Sequence, residues 1–251
     1  FSDGKDGTVV LFGHVTRLQL ADPPIGVLLL LALSSIAIYG LMLAGWSSGS
    51  KYPLLGSVRA TAQMVSYEAA LGLSLAAVIL VCGTLSTSGI VAAQSSFGKW
   101  SLVATGFLPF VTFLIAATAE LNRPPFDLVE AEQELVAGFN TEYASIRFAL
   151  FYLAEFMNTI TMSAVIVTLF FGGPQPISWN GHTINLPFGP LTGTVWFVLK
   201  LMVFLYVYVW FRATLPRLRY DQLMDIGWKV LIPLALFWLL VIAGVRVHAW
   251  Y

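Results

Sequence analysis

Pro24-Ile-Gly-Val-Leu-Leu-Leu-Leu-Ala-Leu-Ser-Ser-Ile-Ala-Ile-Tyr-Gly-Leu-Met-Leu-Ala-Gly-Trp46 runs without a single charged residue. That is longer than the roughly 20 apolar residues a helix needs to cross a hydrocarbon core. Five further stretches have the same character: Ala62–Leu85, Leu102–Ala119, Phe148–Phe171, Val195–Phe211 and Val230–Val247. None of the six alternates as a strand would, and lipid admits only helices or closed barrels. The expected fold is therefore all-α: a polytopic transmembrane helix bundle with six spans, forming a single domain over residues 1–251. No internal repeat is visible, so a transporter built from two similar halves gains no support.

Composition agrees. The 251 residues are 58% hydrophobic and 10% charged, with mean hydropathy +0.81, too few charges to cover a water-facing surface. Lys+Arg and Asp+Glu balance at 13 each, so net charge gives no pointer to nucleic-acid or acidic partners, and none is expected. The lone cysteine, Cys82, lies in an apolar run and reads as packing. His14, His182 and His248 are far apart, and no metal-ligand spacing is present. The chain opens on Phe1 rather than Met, which reads as a cut boundary.

The basic residues assign sides. Alternating connections place Lys51, Arg59, Arg123, Arg147, Arg212, Arg217, Arg219 and Lys229 on one face. Only Lys5, Arg17, Lys99 and Arg246 fall on the other, with Lys200 in or near the fifth span. The positive-inside rule makes the first face cytoplasmic and turns both termini of the chain outward.

The acids are gathered more tightly still. Apart from Asp3, Asp6 and Asp22, every carboxylate lies on the cytoplasmic side or in spans that open to it. Glu120, Asp127, Glu130, Glu132, Glu134 and Glu142 crowd one loop, residues 120–145, with Arg123 and Arg147 as its basic neighbours. Phe126, Leu128, Val129, Leu135 and Phe139 stand among these acids, so the loop is expected to fold back on the bundle. Pro124-Pro125 stops any earlier helix. Asp127 with Glu130 fits an N-cap and its partner, opening a short helix Leu128–Ala137 that ends at a left-handed Gly138. Glu68 and Glu155 lie one or two helical turns inside their spans, where an ionisable group is costly and marks a polar path. Tyr67 and Tyr143 add hydroxyls beside acids, and Lys229 and Lys200 are the cations at hand. Acids, tyrosines and a lysine at membrane depth suggest a route for protons.

The stretch Ala119-Glu-Leu-Asn-Arg-Pro-Pro-Phe-Asp-Leu-Val-Glu-Ala-Glu-Gln-Glu-Leu-Val-Ala-Gly-Phe-Asn-Thr-Glu-Tyr143 closely resembles the signature loop of one family. That family is the H subunit of proton-pumping NADH–quinone oxidoreductase, respiratory complex I. Gly45-Trp-Ser-Ser-Gly-Ser-Lys-Tyr-Pro-Leu-Leu-Gly56 with Arg59 and Ser66-Tyr-Glu68, Phe148–Asn158, and Arg212–Lys229 extend the likeness over the whole chain, in a form closer to bacterial members.

The resemblance implies a membrane subunit that forms part of a quinone tunnel and couples quinone reduction to proton translocation. It implies a quinone substrate (ubiquinone or menaquinone), with no flavin, haem, iron–sulfur cluster or metal on this chain. It implies as partners the peripheral-arm subunits of the quinone site and the small and antiporter-like membrane subunits. It assigns Arg123, Phe126, Asp127 and Glu130 to a loop facing the quinone cavity. Tyr67, Glu68, Glu120, Asp127, Glu130, Glu132, Glu134, Glu142, Tyr143, Glu155 and Lys229 fall on its proton path. The implied location is the bacterial inner membrane. The family has eight spans, and the six found here match its third to eighth. Two rivals stand beside this reading: the homologous membrane subunit of an energy-converting hydrogenase or related dehydrogenase, and a standalone proton-coupled transporter.

Overall fold

The computed structural model describes residues 8–11, 14–17, 22–127, 138–179, 182–183 and 192–248. The expected helix Leu128–Ala137, with Glu130, Glu132 and Glu134, lies outside the described residues. The helices are α1 (Gly26–Ser47), α2 (Lys51–Cys82), α3 (Thr87–Ala93), α4 (Ser101–Ala104), α5 (Phe107–Glu120), α6 (Ile146–Phe170), α7 (Thr192–Thr214), α8 (Tyr220–Asp225) and α9 (Ile232–His248). A π-helical segment, Ile226–Leu231, fuses α8 to α9. Two antiparallel hairpins, β1 (Thr8–Leu11) with β2 (His14–Arg17) and β3 (Ser178–Trp179) with β4 (His182–Thr183), lie outside the spans. The protein is a multi-pass all-α membrane bundle.

Three span boundaries differ from expectation. α2 begins at Lys51, not Ala62, because Ser50 is extended (φ −105°, ψ 149°) and Pro53 sits in the first turn, where its missing N–H costs nothing. Arg59 is carried inside this 32-residue helix, which places Glu68 near its middle. The expected span Leu102–Ala119 is broken at Gly106, whose φ of 76° and ψ of 162° cannot continue a helix. Thr105 at the break keeps a bonded carbonyl, because the Trp238 indole donates to it at 2.8 Å; lipid would leave it unpaired. What remains, α5, is 14 residues long. The last span starts early, at Tyr220 rather than Val230. Among the described residues five helices are thus long and apolar enough to cross a membrane, and α5 is a sixth, shorter apolar helix.

α2 is the spine, packing against α1, α5 and α9. Tyr67, Leu71, Phe113, Ile166, Phe170 and Leu223 are buried together in one core around it. Phe110 meets Phe170, Phe171 and Phe204 edge-on at centroid distances of 5.5, 5.4 and 6.2 Å. The outer surface is apolar, as Ile36, Leu153, Met202 and Leu240 show, which suits a lipid solvent. The α1–α2 seam depends on Gly45: a Cβ there would stand 2.1 Å from Ser57 Oγ and 2.7 Å from the Pro53 carbonyl.

Both ends of the bundle are tied by contacts. At one face Gly56 meets Gly138, Leu218 N–H donates to the Pro125 carbonyl, and Tyr143 reaches α1. At the other face Val27 N–H donates to the Leu85 carbonyl. The described residues on either side of 128–137 therefore lie against the ends of α1 and α7 and the start of α2.

Replacing Gly45 by Ala should lower the detergent melting temperature, since overpacking costs about 1–3 kcal/mol. Gly40→Ala, where a Cβ meets nothing within 4 Å, should leave it unchanged or slightly higher. Equal melting of the two variants would contradict the tight seam.

Candidate functional site

α5 ends in a Schellman turn: Arg123 N–H reaches back to the Thr118 carbonyl, and Asn122 takes a left-handed conformation (φ 51°). Gln63 of α2, fully buried, fastens this turn. Its amide donates to the Ala119 carbonyl at 2.8 Å, the Phe126 carbonyl at 2.9 Å and Asn122 Oδ1 at 3.3 Å. Phe126 is buried on the Tyr67 ring, 5.4 Å between centroids. The fold-back read from the sequence is real over the described part of the loop, and Gly138 is left-handed (φ 57°) as expected.

The turn projects Arg123 onto α6. Its guanidinium pairs with Glu155 Oε1 at 3.2 Å and lies over the Phe156 ring at 5.1 Å from the centroid. Both partners are mostly shielded from solvent, with side chains 13% and 28% exposed. Charges held this way interact more strongly than a surface pair.

Glu120 is the last residue of α5 rather than part of a solvated loop, and it is 4% exposed. Helical side chains lean toward the N-terminus, which turns its carboxyl back into the bundle. There it lines a cavity together with Ser34 of α1, and the charge of Glu68 on α2 acts on it. Its Oε2 has no hydrogen-bond partner among the described residues. Glu68 itself accepts from the Ser35 hydroxyl of α1.

These groups wall a cavity of about 870 Å³ between α1, α2, α5 and α6, within the range of small-molecule sites, about 300–1,000 Å³. It reaches from Val27, Thr87 and Thr168 at one end to Phe139 and Asn140 at the other. The wall is leucine, alanine and methionine for most of its length, interrupted by Ser34, Glu120, Asn122, Glu155 and Asn158. Such a space takes a long apolar body and offers polar groups, two of them carboxylates, to one end.

The other expected residues fall elsewhere. Tyr67 is buried and donates to the Leu223 carbonyl at 2.8 Å, holding α8 to α2. Tyr143 donates to the Ala44 carbonyl and meets Ser47 Oγ, both at 2.8 Å. Asp127 is half-buried and Glu142 exposed. Lys229 pairs with Asp225 at 2.8 Å, the two side chains 71% and 61% exposed. Lys200, 7% exposed, donates to the carbonyls of Phe171, Gly173 and Gln175 at 2.7, 3.1 and 2.8 Å. Among the described residues no group of three His, Cys, Asp or Glu side chains could hold a metal ion.

Sequence reading missed Ser34, Ser35 and Gln63. The first two had a signal, being adjacent hydroxyls in an otherwise apolar span. Gln63, flanked by ordinary helix residues, had none.

The fold and the site define the class: a multi-pass membrane protein with an acid-walled cavity between its helices. The chain belongs to the NADH dehydrogenase family, which it matches over residues 7–243. Two bacterial relatives, each named as the H subunit of NADH-quinone oxidoreductase, come from Frankia casuarinae and Frankia alni and are both 56% identical over 241 residues. That is 96% of this chain and 52% of each relative, so the chain spans about half the length of the curated relatives it matches.

Gln63→Leu should destabilise the protein by about 1–3 kcal/mol for the Phe126 carbonyl left without its donor, read as detergent melting temperature. An unchanged melting point would mean that the turn is held by other groups.

Proposed function

We propose that this chain serves as the membrane subunit of an NADH–quinone oxidoreductase that walls part of the quinone tunnel and passes the effect of quinone reduction to proton-carrying acids. The observation that carries this reading is the apolar cavity with Glu120 and Glu155 at its wall. The names of the relatives supply the reaction. Ubiquinone or menaquinone fits the space in kind: a long isoprenoid body for the apolar wall, and a headgroup that gains charge or protons at the polar end. The partners are then the peripheral-arm subunits at the face of the α5–α6 segment and the small and antiporter-like subunits alongside. The place is the bacterial inner membrane, with residues 120–145 cytoplasmic.

The mechanism rests on electrostatics. Reduction of a quinone puts negative charge, then protons, near the turn that carries Arg123. A new anion competes with Glu155 for that guanidinium in a low-dielectric setting, where a charge a few ångströms away is felt strongly. Loosening the Arg123–Glu155 pair alters the field at Glu120 and Glu68. Asp127, Glu130, Glu132, Glu134 and Glu142 extend the acidic set toward the loop. The turn is thus a two-position element biased by redox state, as coupling requires.

In an assembled enzyme, Glu155→Gln and Glu68→Gln should each lower coupled quinone reduction about tenfold. NADH oxidation by a water-soluble artificial acceptor should persist in both. Normal quinone turnover with normal proton translocation in both variants would overturn the proposal. Arg123→Ala should reduce quinone turnover while the complex still assembles; failure to assemble would assign the pair a structural role instead.

A further inference from the structure

The polar side chains in the second half of α6 are mostly spent inside the protein. Thr159, Thr161, Ser163 and Thr168 each turn the hydroxyl back to the carbonyl four residues earlier, at 3.0, 2.9, 2.8 and 2.8 Å. Glu155 is paired with Arg123. Asn158 is different: among the described residues its amide makes no hydrogen bond. It is half-buried and lines the cavity. It also lies at the middle of its 25-residue helix, about 18 Å along from Ile146 at 1.5 Å per residue.

An amide at that depth has no water to turn to, and leaving it bare is costly. Membrane helices usually spend such a group on a neighbouring helix. Gln63 does so in fastening the α5 turn. Asn122, a second amide on the cavity wall, is tied as well, its Oδ1 accepting from Gln63 at 3.3 Å. Asn158 instead borders open volume whose wall is largely apolar, as Leu71, Leu75, Phe113 and Met162 show.

Its position relative to the acid is specific. Asn158 stands three residues after Glu155, on the same helix face and one turn deeper, and both line the cavity. Side chains so spaced leave the helix about 5–6 Å apart at their Cβ atoms, comparable to the separation of the two oxygens across a quinone ring. Their chemistry differs. A quinone oxygen only accepts hydrogen bonds, and the hydroxyl that replaces it on reduction also donates. A carboxylate only accepts, so Glu155 suits the hydroxyl form alone. An amide carries two N–H donors and a carbonyl acceptor, so Asn158 suits both forms, whichever way the amide is turned.

We infer that Asn158 is a quinone-binding residue whose amide holds one ring oxygen of the headgroup, one helical turn deeper than Glu155, in the quinone and the quinol form alike. The inference rests on the proposed function and names a specificity-determining residue of that site. The headgroup then rests along α6, with one oxygen at Asn158 and the other toward Glu155, and its isoprenoid body occupies the apolar remainder of the cavity.

The test uses the assembled enzyme in proteoliposomes with a decyl-chain benzoquinone as substrate. Asn158→Leu, Asn158→Ala and Asn158→Gln are compared with Glu155→Gln and Glu68→Gln, and NADH oxidation by a water-soluble artificial acceptor reports assembly. Asn158→Leu and Asn158→Ala should each raise KM for the quinone about tenfold and keep kcat within about twofold, the pattern of a bond made equally in ground and transition states. With the headgroup carbonyls isotope-labelled, infrared difference spectra of the bound quinone should show one carbonyl band below its frequency in free quinone. That lowering should vanish in the Leu and Ala variants and persist in Asn158→Gln, which keeps the amide. Should the Leu variant not assemble, the smaller Ala variant carries the same reading. An unchanged KM with an unchanged carbonyl band overturns the inference. So does poor assembly with a normal KM in the enzyme that remains, which would give Asn158 to a neighbouring helix. Either result beside an impaired Glu155→Gln leaves the proposed function standing. If Glu155→Gln and Glu68→Gln are both normal, it is the proposed function that fails.

Discussion

A polar group inside this bundle has no water to fall back on, and that constraint arranges the whole structure. Backbone groups freed at helix ends and breaks must find donors or acceptors from other helices. The end of α5 is satisfied by Gln63 from α2 and the break at Gly106 by Trp238 from α9. The end of α6 is satisfied by Gln94, which donates to the Leu169 carbonyl, and by Lys200 of α7. Each of these ties joins elements distant in sequence. The aromatic contacts around Phe110 and Phe170 fill the interior between them. Dispersion packs the helices, but the polar ties decide which helix end meets which.

The same constraint explains what could be read without coordinates. The spans were legible because lipid demands long apolar runs, and α1, α6 and α7 fall within a few residues of the runs. The start of α2 was not. Arg59 ended the apolar run, yet a helix continues through a charged residue once it lies at an interface. The break at Gly106 was hidden for the opposite reason: its surroundings are apolar on both sides, and the acceptable partner, Trp238, lies more than a hundred residues away. Acids were readable as a group because their cost in lipid makes them conspicuous. Their pairing was not readable. Glu155 is bound to Arg123, and Glu68 takes the Ser35 hydroxyl of α1. Which face of a helix a residue occupies follows from packing, and periodicity is silent when all faces are apolar. Tyr67 shows the same limit. A hydroxyl beside an acid in sequence points away from it on the helix and is spent on the Leu223 carbonyl.

Lys200 and Glu120 mark the two ends of the bundle, and their difference separates scaffold from site. Both are charged residue types more than nine-tenths buried. All three ammonium protons of Lys200 have backbone carbonyls within 3.1 Å, and the Trp100 ring lies 4.9 Å away. Its charge sits at the carbonyl end of α6, where the helix dipole favours a cation. No donor is left over, so Lys200 reads as a fixed part of the scaffold, capping a helix end that lipid could not solvate. Glu120 is the reverse. One carboxyl oxygen has no partner among the described residues, the group faces a cavity rather than a carbonyl cage, and its neighbours are a second acid and a serine. A buried acid left incompletely satisfied costs stability. A scaffold role for Glu120 would be better served by glutamine, which could donate where the acid cannot. Of these two buried charges, then, only the acid keeps spare capacity beside a cavity, at the end where α5 meets α1 and α2, and the sealed scaffold lies at the opposite end.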